Sequence, residues 1–347
     1  MLRMLRLSVA AIAITAASPL AAQTLTITTA GGDYGAAMKQ AMWGPAATEL
    51  GFDVTEETQS DGFAALKMQV TAGAVTTDVI HLGSPEGAQA AAQGLLEPLD
   101  YAIIDPKSLP AGAESAYCYP FSSYGTVMAW NTETFGDKPP ATWAEFWDVK
   151  AFPGTRALRA NAQDLIEIAL LSQGVAPGEV YSVLDSPDGL KRAIDRLEAL
   201  KPNIAAWWTS GAQSAQILKD GEADLVVTWN GRAESVKADG GAAAYSFKGS
   251  VIGTDCLAVP KGSANKDAAM KLIAAMTSPE RGAKLTDFIA YGPLNPKAYE
   301  GGLIPAERLQ LLATAPGNVE TSVFSKADWW VKNGDAAQTA FDEMMNR

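Results

Sequence analysis

The sequence predicts an α/β protein folded as two lobes. Three observations carry that expectation. Strand-like and helix-like segments alternate at short spacing, which implies βαβ units and a mostly parallel sheet. The 347 residues, less a short leader, leave about 325, which is long for one ordinary core and points to two domains. Finally, two strand-rich stretches sit where the chain has to pass between one α/β series and the other.

The leader reads MLRMLRLSVAAIAITAASPLAAQTLT. Arg3 and Arg6 precede an apolar run from Leu7 to Ala17, Pro19 breaks the run, and Ala21-Ala22 supplies small residues for cleavage. That is the pattern of a secretory signal peptide, and the run is too short to span a bilayer. Residues 1–22 are therefore expected to be removed near Ala22. No Cys follows the run, which speaks against a lipid anchor. No later segment approaches 18 unbroken apolar residues, so the exported chain is expected to be soluble.

The exported chain opens with TLTITTAGG, an alternating β-branched strand ending in glycines. A helical stretch follows from Tyr34 to Leu50. FDVTEET reads as a second strand, Asp61 to Gly73 as a helix, and TDVIHLG as a third strand. Ligands of such sheets sit in the loops after the carboxyl ends of strands. Here those loops are Ala30–Tyr34 and Gly83–Glu86. Tyr117 to Asn131 (YCYPFSSYGTVMAWN) is strand-rich, and the prolines of KPPATWAEFWD mark a change of segment. A second series then begins. ALRAN is strand-like, AQDLIEIALLSQG is a helix closed by Gly174, and Ser186 to Leu200 is a helix with Ser186 as N-cap and Pro187 at its first position. IAAWW and ADLVVTWN are strands flanking a helix from Ala212 to Lys219. SVIGTDCLAVPKG is again strand-like, and NKDAAMKLIAAMTS is helical. Crossings between the lobes are expected near Ala129–Thr132 and Gly253–Asp255. This gives lobe 1 as residues 23–130 and 255–303, and lobe 2 as residues 131–254 and 304–347.

Without Arg3 and Arg6 the chain carries 25 basic against 39 acidic side chains, a net charge near −14. No Lys/Arg cluster is present, so nucleic acid is not expected as a partner. Cys118 and Cys256 are the two cysteines. In an oxidising compartment two cysteines are more often paired than free, and closing so long a loop stabilises by roughly 4–5 kcal/mol in the chain-entropy model. Two buried thiols are the alternative.

Catalytic chemistry has little to work with. The one histidine, His81, sits at a strand end and reads as a packed strand residue. A Ser/His/Asp system or a multi-His metal site is therefore poorly supplied. The dinucleotide, P-loop and HExxH patterns are missing, and no carboxylate pair stands out. The nine tryptophans say more. Trp207, Trp208 and Trp229 lie close to strand ends, as do Tyr34 and Tyr124. Each taken alone reads as core packing, but several converging on one cleft suit an ammonium group, which is attracted to a ring face, or box in an aliphatic chain.

The segments TITTAGGDYG, DVIHLGSPE, YGTVMAWNTETF, LKDGEADLVVTWNGRAE, IGTDCLAVPKGSANKDAAMKLIAAM, IAYGPLNPKA and KADWWVKNGD are collinear over nearly the whole exported chain. In these the sequence resembles the solute-binding proteins of the spermidine/putrescine type, a group that also holds γ-aminobutyrate-binding relatives. The resemblance implies a periplasmic-binding-protein fold, the two-lobed venus-flytrap with crossover strands, closing on its ligand by hinge motion. It implies a periplasmic, monomeric protein that delivers a small amine or amino acid to a cognate ABC permease and, through it, to the ATPase, with neither cofactor nor metal. It places Asp33, Tyr34 and Ser84 at the ligand from lobe 1, Tyr124 beside the cleft, Trp229 stacked on the ligand and Asp255 paired with its ammonium. Trp208 and Tyr291 are further candidates.

In two places the sequence departs from the polyamine pattern. An expected acid stands as Asn161, leaving only Asp164, which reads as either a cleft residue or part of an exposed helix face. Arg232 follows the WNG turn. An Arg aimed into a cleft repels a second ammonium and holds a carboxylate bidentately. Arg232 and Asp255 together then describe a zwitterion site suited to a short ω-amino acid such as γ-aminobutyrate. If Arg232 instead pairs with Glu234 at the surface, putrescine or spermidine returns to favour. An enzyme on a similar two-lobed fold, or a binding protein serving a sensor, are the competing readings.

Overall fold

The computed structural model describes residues 23–59, 61–109, 113–136 and 138–347; the expected signal peptide, residues 1–22, lies outside them. Three strands open the chain: β1 (Thr24–Thr29), β2 (Asp53–Thr58) and β3 (Val79–Gly83). β1 pairs in parallel with β2 on one side and β3 on the other. Alternation along β1 buries Leu25 and Ile27, as expected for a strand covered by helices. A second parallel group consists of β5 (Arg156–Arg159), β6 (Ile204–Trp208) and β7 (Leu225–Trp229), with β5 in the middle.

Two long antiparallel strands join the groups: β4 (Cys118–Asn131) and β8 (Ala243–Ala258). The path across the sheet is β2-β1-β3-β8-β4-β7-β5-β6, with β9 (Gly292–Pro293) on β4 and β10 (Val323–Phe324) on β8. β8 meets the first group through Asp255–Ala258 on β3, and β4 meets the second through Thr126–Trp130 on β7. The stretch between, Ser122–Thr126 facing Val251–Asp255, is where the sheet passes from one group to the other. On β4 this lies upstream of the expected Ala129–Thr132.

Each group has its own apolar core. Ile27, Met38, Trp43, Leu257, Ile273 and Leu285 belong to one. Phe146, Ile168, Leu197, Leu225, Trp330 and Phe341 belong to the other. The expected disulfide is present: Cys118 and Cys256 are bonded, with their Cα atoms 5.4 Å apart. Gly87 lies against it. A Cβ there would stand 2.6 Å from one sulfur and 2.8 Å from the other, so this position tolerates no side chain.

Local departures from the sequence reading have identifiable causes. The expected helix from Tyr34 to Leu50 is interrupted by a π turn over Lys39–Trp43, directly before Gly44-Pro45; Pro45 has no N–H for an i→i−4 bond, and a widened turn accommodates it. The helix expected from Ser186 starts at Gly189, because the Ser186 hydroxyl donates to the Val183 carbonyl behind it and so does not cap forwards. The loop expected at Gly83–Glu86 is a direct strand-to-helix junction. Pro85 lies in the first turn of the helix Ser84–Ala92, and Glu86 Oε2 accepts from the Gly83 N–H at 2.9 Å.

Candidate functional site

A cavity of about 330 Å³ opens between the two strand groups. Its walls follow from the topology, because carboxyl ends of parallel strands meet there from both sides. Thr28 and Thr29 end β1 and Ala30 follows it, and His81, Leu82 and Gly83 end β3. Opposite them stand Arg159 at the end of β5, Ala160 and Asn161 after it, Thr209 after β6 and Trp229 at the end of β7. Asp255 and Tyr124 come from the passage between the groups, and Tyr34 and Tyr291 complete the first wall.

Four rings form a connected set. Tyr34 meets Tyr291 edge-on at 5.1 Å, Tyr291 meets Tyr124 at 5.9 Å, and Tyr124 meets Trp229 at 5.8 Å. Asp255 is buried among them, 5% exposed. Its Oδ2 accepts from the Tyr34 hydroxyl at 2.9 Å and from Ser122 Oγ at 3.2 Å. Burial, reinforced by the Asp255 charge, pushes the Tyr34 phenol well above its usual range. Burial does the same at Tyr124, with Asp164 adding to it, and raises Tyr291 against the opposing influence of Arg232. All three phenols therefore stay protonated at neutral pH and can donate. Asp255 Oδ1 faces His81 Nε2 at 3.3 Å, out of line for a hydrogen bond, and Nε2 is buried with no partner.

The opposite wall carries a cation. Arg159 lies over the Trp229 ring, 5.4 Å from its centre, and its Nη2 is 3.7 Å from Glu86 Oε1 across the cavity. Trp229 and Arg159 both line the cavity. The cleft thus presents a carboxylate at the Asp255 end and a guanidinium at the Arg159 end.

Comparison with known proteins decides what kind of molecule carries this cleft. Residues 44–310 match the family model described as bacterial extracellular solute-binding protein. The chain belongs to that family. Among individual solute-binding proteins it is similar to the γ-aminobutyric acid-binding protein of Pseudomonas aeruginosa, 34% identical over 338 residues that cover 97% of this chain and 95% of the relative. Among solved structures it is similar to the periplasmic binding protein MotA of A. tumefaciens B6 in complex with glucopine. That match has TM-score 0.90 and 37% identity, and covers 93% of this chain and 99% of the other. A solved GABA receptor matches with TM-score 0.80 and 31% identity over 93% and 97% of the two chains. The resemblance drawn from the collinear motifs and the expected two-lobed α/β fold are both borne out.

In this solute-binding protein the sequence-derived candidates divide into two groups. Tyr34, Tyr124, Trp229, Asp255 and Tyr291 share the cavity wall. The other four do not line it. Asp33 is exposed beside Tyr34. Ser84 Oγ accepts from Thr254 Oγ1 at 2.7 Å, next to the passage strands. Trp208 lies behind Trp229, edge to face at 5.3 Å, and its Nε1 donates to the Val227 carbonyl.

Arg232 departs most from expectation. It is neither a cavity-lining carboxylate anchor nor a surface partner of Glu234, which pairs instead with Lys237. Arg232 is 1% exposed. Its Nη2 donates to the Gly31 carbonyl at 3.1 Å, and Nε and Nη1 have no partner. The helix Asn230–Ala238 begins directly after Trp229, which carries Arg232 under the wall towards the first strand group. Glycines make room for it: a Cβ on Gly211 would be 2.7 Å from its Nε, and one on Gly32 3.0 Å from its Nη1.

Asp164 is not on an exposed face. It is 2% exposed with φ 68°, and its Oδ2 accepts from Thr126 Oγ1 at 2.6 Å. Burial pushes its carboxyl up to about 6. Glu167 is buried next to it. There burial, with the Asp164 charge second, pushes the carboxyl up to about 8, while Oε1 accepts from the Tyr181 hydroxyl and Trp330 Nε1.

The reading of the sequence passed over Arg159, named Glu86 only as the end of a candidate loop, and set His81 aside as a packed strand residue. Arg159 closes β5 within ALRAN, so the rule that singled out the loops after β1 and β3 also applies to it. The signal for His81 lies in its partner, Asp255, on a strand far along the chain.

Proposed function

We propose that this chain is the solute-capturing component of an ABC importer, working in the periplasm without turnover. Its solute carries one ammonium group and one carboxylate, with γ-aminobutyrate or a similar ω-amino acid favoured. The observation that carries this reading is Asp255, a buried carboxylate with one oxygen fixed by Tyr34 and Ser122 and the other turned towards His81 in a box of rings. Arg159, and not Arg232, takes the solute's carboxylate. The volume of about 330 Å³ sits at the small end of ligand sites. The relatives named for γ-aminobutyrate support the same choice.

Capture is by hinge closure about Ser122–Thr126 and Val251–Asp255. Arg232 on the Gly31 carbonyl and Arg159 near Glu86 are the contacts that hold the closed form. The closed protein then docks on its permease. Glu86 and Asp61, both at the cavity, are the observation that keeps a diamine as the second reading.

Calorimetry with γ-aminobutyrate, longer and shorter ω-amino acids, putrescine, spermidine and betaines tests the proposal. One-to-one binding of an ω-amino acid is expected, with a rise in melting temperature because ligand binds only the native state. Tight binding of putrescine with none of the ω-amino acids would overturn the zwitterion reading.

A further inference from the structure

We infer that His81 is the second acceptor for the solute's ammonium group, so that a proton and the amine compete for one seat. The inference rests on the amine reading above and deepens it. With the imidazole neutral and its proton on Nδ1, two atoms at the cavity wall carry lone pairs and lack an aligned donor. Asp255 Oδ1 stands 3.3 Å from His81 Nε2, while the other Asp255 oxygen is already occupied by two hydroxyls. His81 Nε2 is buried and unsatisfied. An unsatisfied buried polar atom is costly, and two acceptors facing each other repel unless a positive donor bridges them.

Two species can supply that donor. A proton added to Nε2 while Nδ1 keeps its own makes an imidazolium beside the carboxylate and closes the seat to a second cation. An ammonium, with three N–H donors, can reach both acceptors when the imidazole is neutral. The rings close the sides: Tyr34 stands edge-on to the imidazole at 5.1 Å and Phe121 at 6.1 Å.

The other charged and titratable groups around the cavity do not take over this role. Tyr34, Tyr124 and Tyr291 are neutral donors. Asp61 has Oδ1 accepting from the Ala64 N–H as a helix cap, Glu86 Oε2 is held by the Gly83 N–H, and Arg159 faces Glu86 across the cavity. Histidine is the side chain that changes charge between about pH 5 and 8, and the chain has one. Asp164 and Glu167, whose carboxyls burial pushes up to about 6 and about 8, also change charge near that range but do not touch the seat, so Asp164→Asn and Glu167→Gln are expected to keep the proton release that His81→Gln removes.

The test is calorimetry of the intact protein with γ-aminobutyrate and with putrescine at pH 7.5 and 5.5, in buffers of different ionisation enthalpy. Binding is expected to weaken by about tenfold at the lower pH, with proton release there, and His81→Gln is expected to flatten the profile. Should the His81 variant fold poorly, release that persists in both Asp164→Asn and Glu167→Gln still assigns the proton to His81, and release lost in either overturns the assignment. Tight binding at pH 7.5 that is unchanged at pH 5.5, with no proton released, overturns the inference and leaves the amine reading intact. Failure of both compounds to bind at pH 7.5 overturns the amine reading and this inference with it.

Discussion

The first wall of the cavity offers acceptors and the second a cation, although both are built from the same part of the same kind of sheet. On the first, Asp255 is held by Tyr34 and Ser122, all from the β1–β3 side or the passage strands, so the seat proposed for the ammonium is built within one wall. On the second, Arg159 has its acidic neighbour Glu86 on the opposite wall, so its setting depends on both walls. One architecture thus yields one acceptor group built locally and one cation set across the cleft, which under the proposed closure would be completed last. Preorganised contacts carry affinity at low ordering cost, and contacts made on closure couple recognition to motion.

The strongest way to break this comparison is Asp255→Asn. Removing one partner of a buried charge pair costs about 2–5 kcal/mol, so γ-aminobutyrate and putrescine should both lose at least about 30-fold in affinity by calorimetry. Retained binding of either would remove Asp255 from the site. Arg159→Gln is expected to act selectively. The ω-amino acid should weaken by about tenfold or more, the scale of a charge-assisted hydrogen bond, while putrescine holds or improves. Equal loss for both ligands would show that Arg159 serves the wall's structure and does not read the solute.

A third effect, on stability and not on affinity, lies behind the second wall, in the buried acids. Glu167 has its carboxyl raised from 4.5 to about 8, so the folded state binds the proton across a range where the unfolded chain releases it. Stability from this group therefore falls as pH rises from about 4.5 to 8, by up to about 1.4 kcal/mol per pH unit. Melting temperatures at pH 5 and 8 should show that fall in the unaltered protein and a smaller one in Glu167→Gln. An identical slope in both would mean Glu167 is ionised in the fold.

The sequence made the architecture legible because strand and helix periods alternate cleanly; the strand-end rule then pointed to Tyr34 and Trp229, and the family resemblance to Asp255, all three of which line the cavity. It misplaced Arg232 because the turn after Trp229 goes straight into a helix, which changes where a residue three positions on points. Asp164 was hidden for a related reason: its left-handed backbone at φ 68° turns the chain in a way no spacing announces. His81 and Arg159 owe their meaning to Asp255 and Glu86, contacts between distant segments that one sequence read alone does not pair. The disulfide was legible from compartment and count, but Gly87 lying against both sulfurs was not.

The strand order has a consequence for how the molecule is made. β3 has β8 as its inner neighbour, and β8 is synthesised after β5, β6 and β7. A chain emerging from its N-terminus thus leaves its first three strands with an open edge until nearly all of the second group exists. Asp255 and Cys256, the acid of the ammonium seat and the second half of the disulfide, arrive together on the strand that closes that edge. Folding from the first residue onwards cannot finish the first lobe early, so a growing chain keeps that edge unpaired until the strand bearing Asp255 and Cys256 has been made.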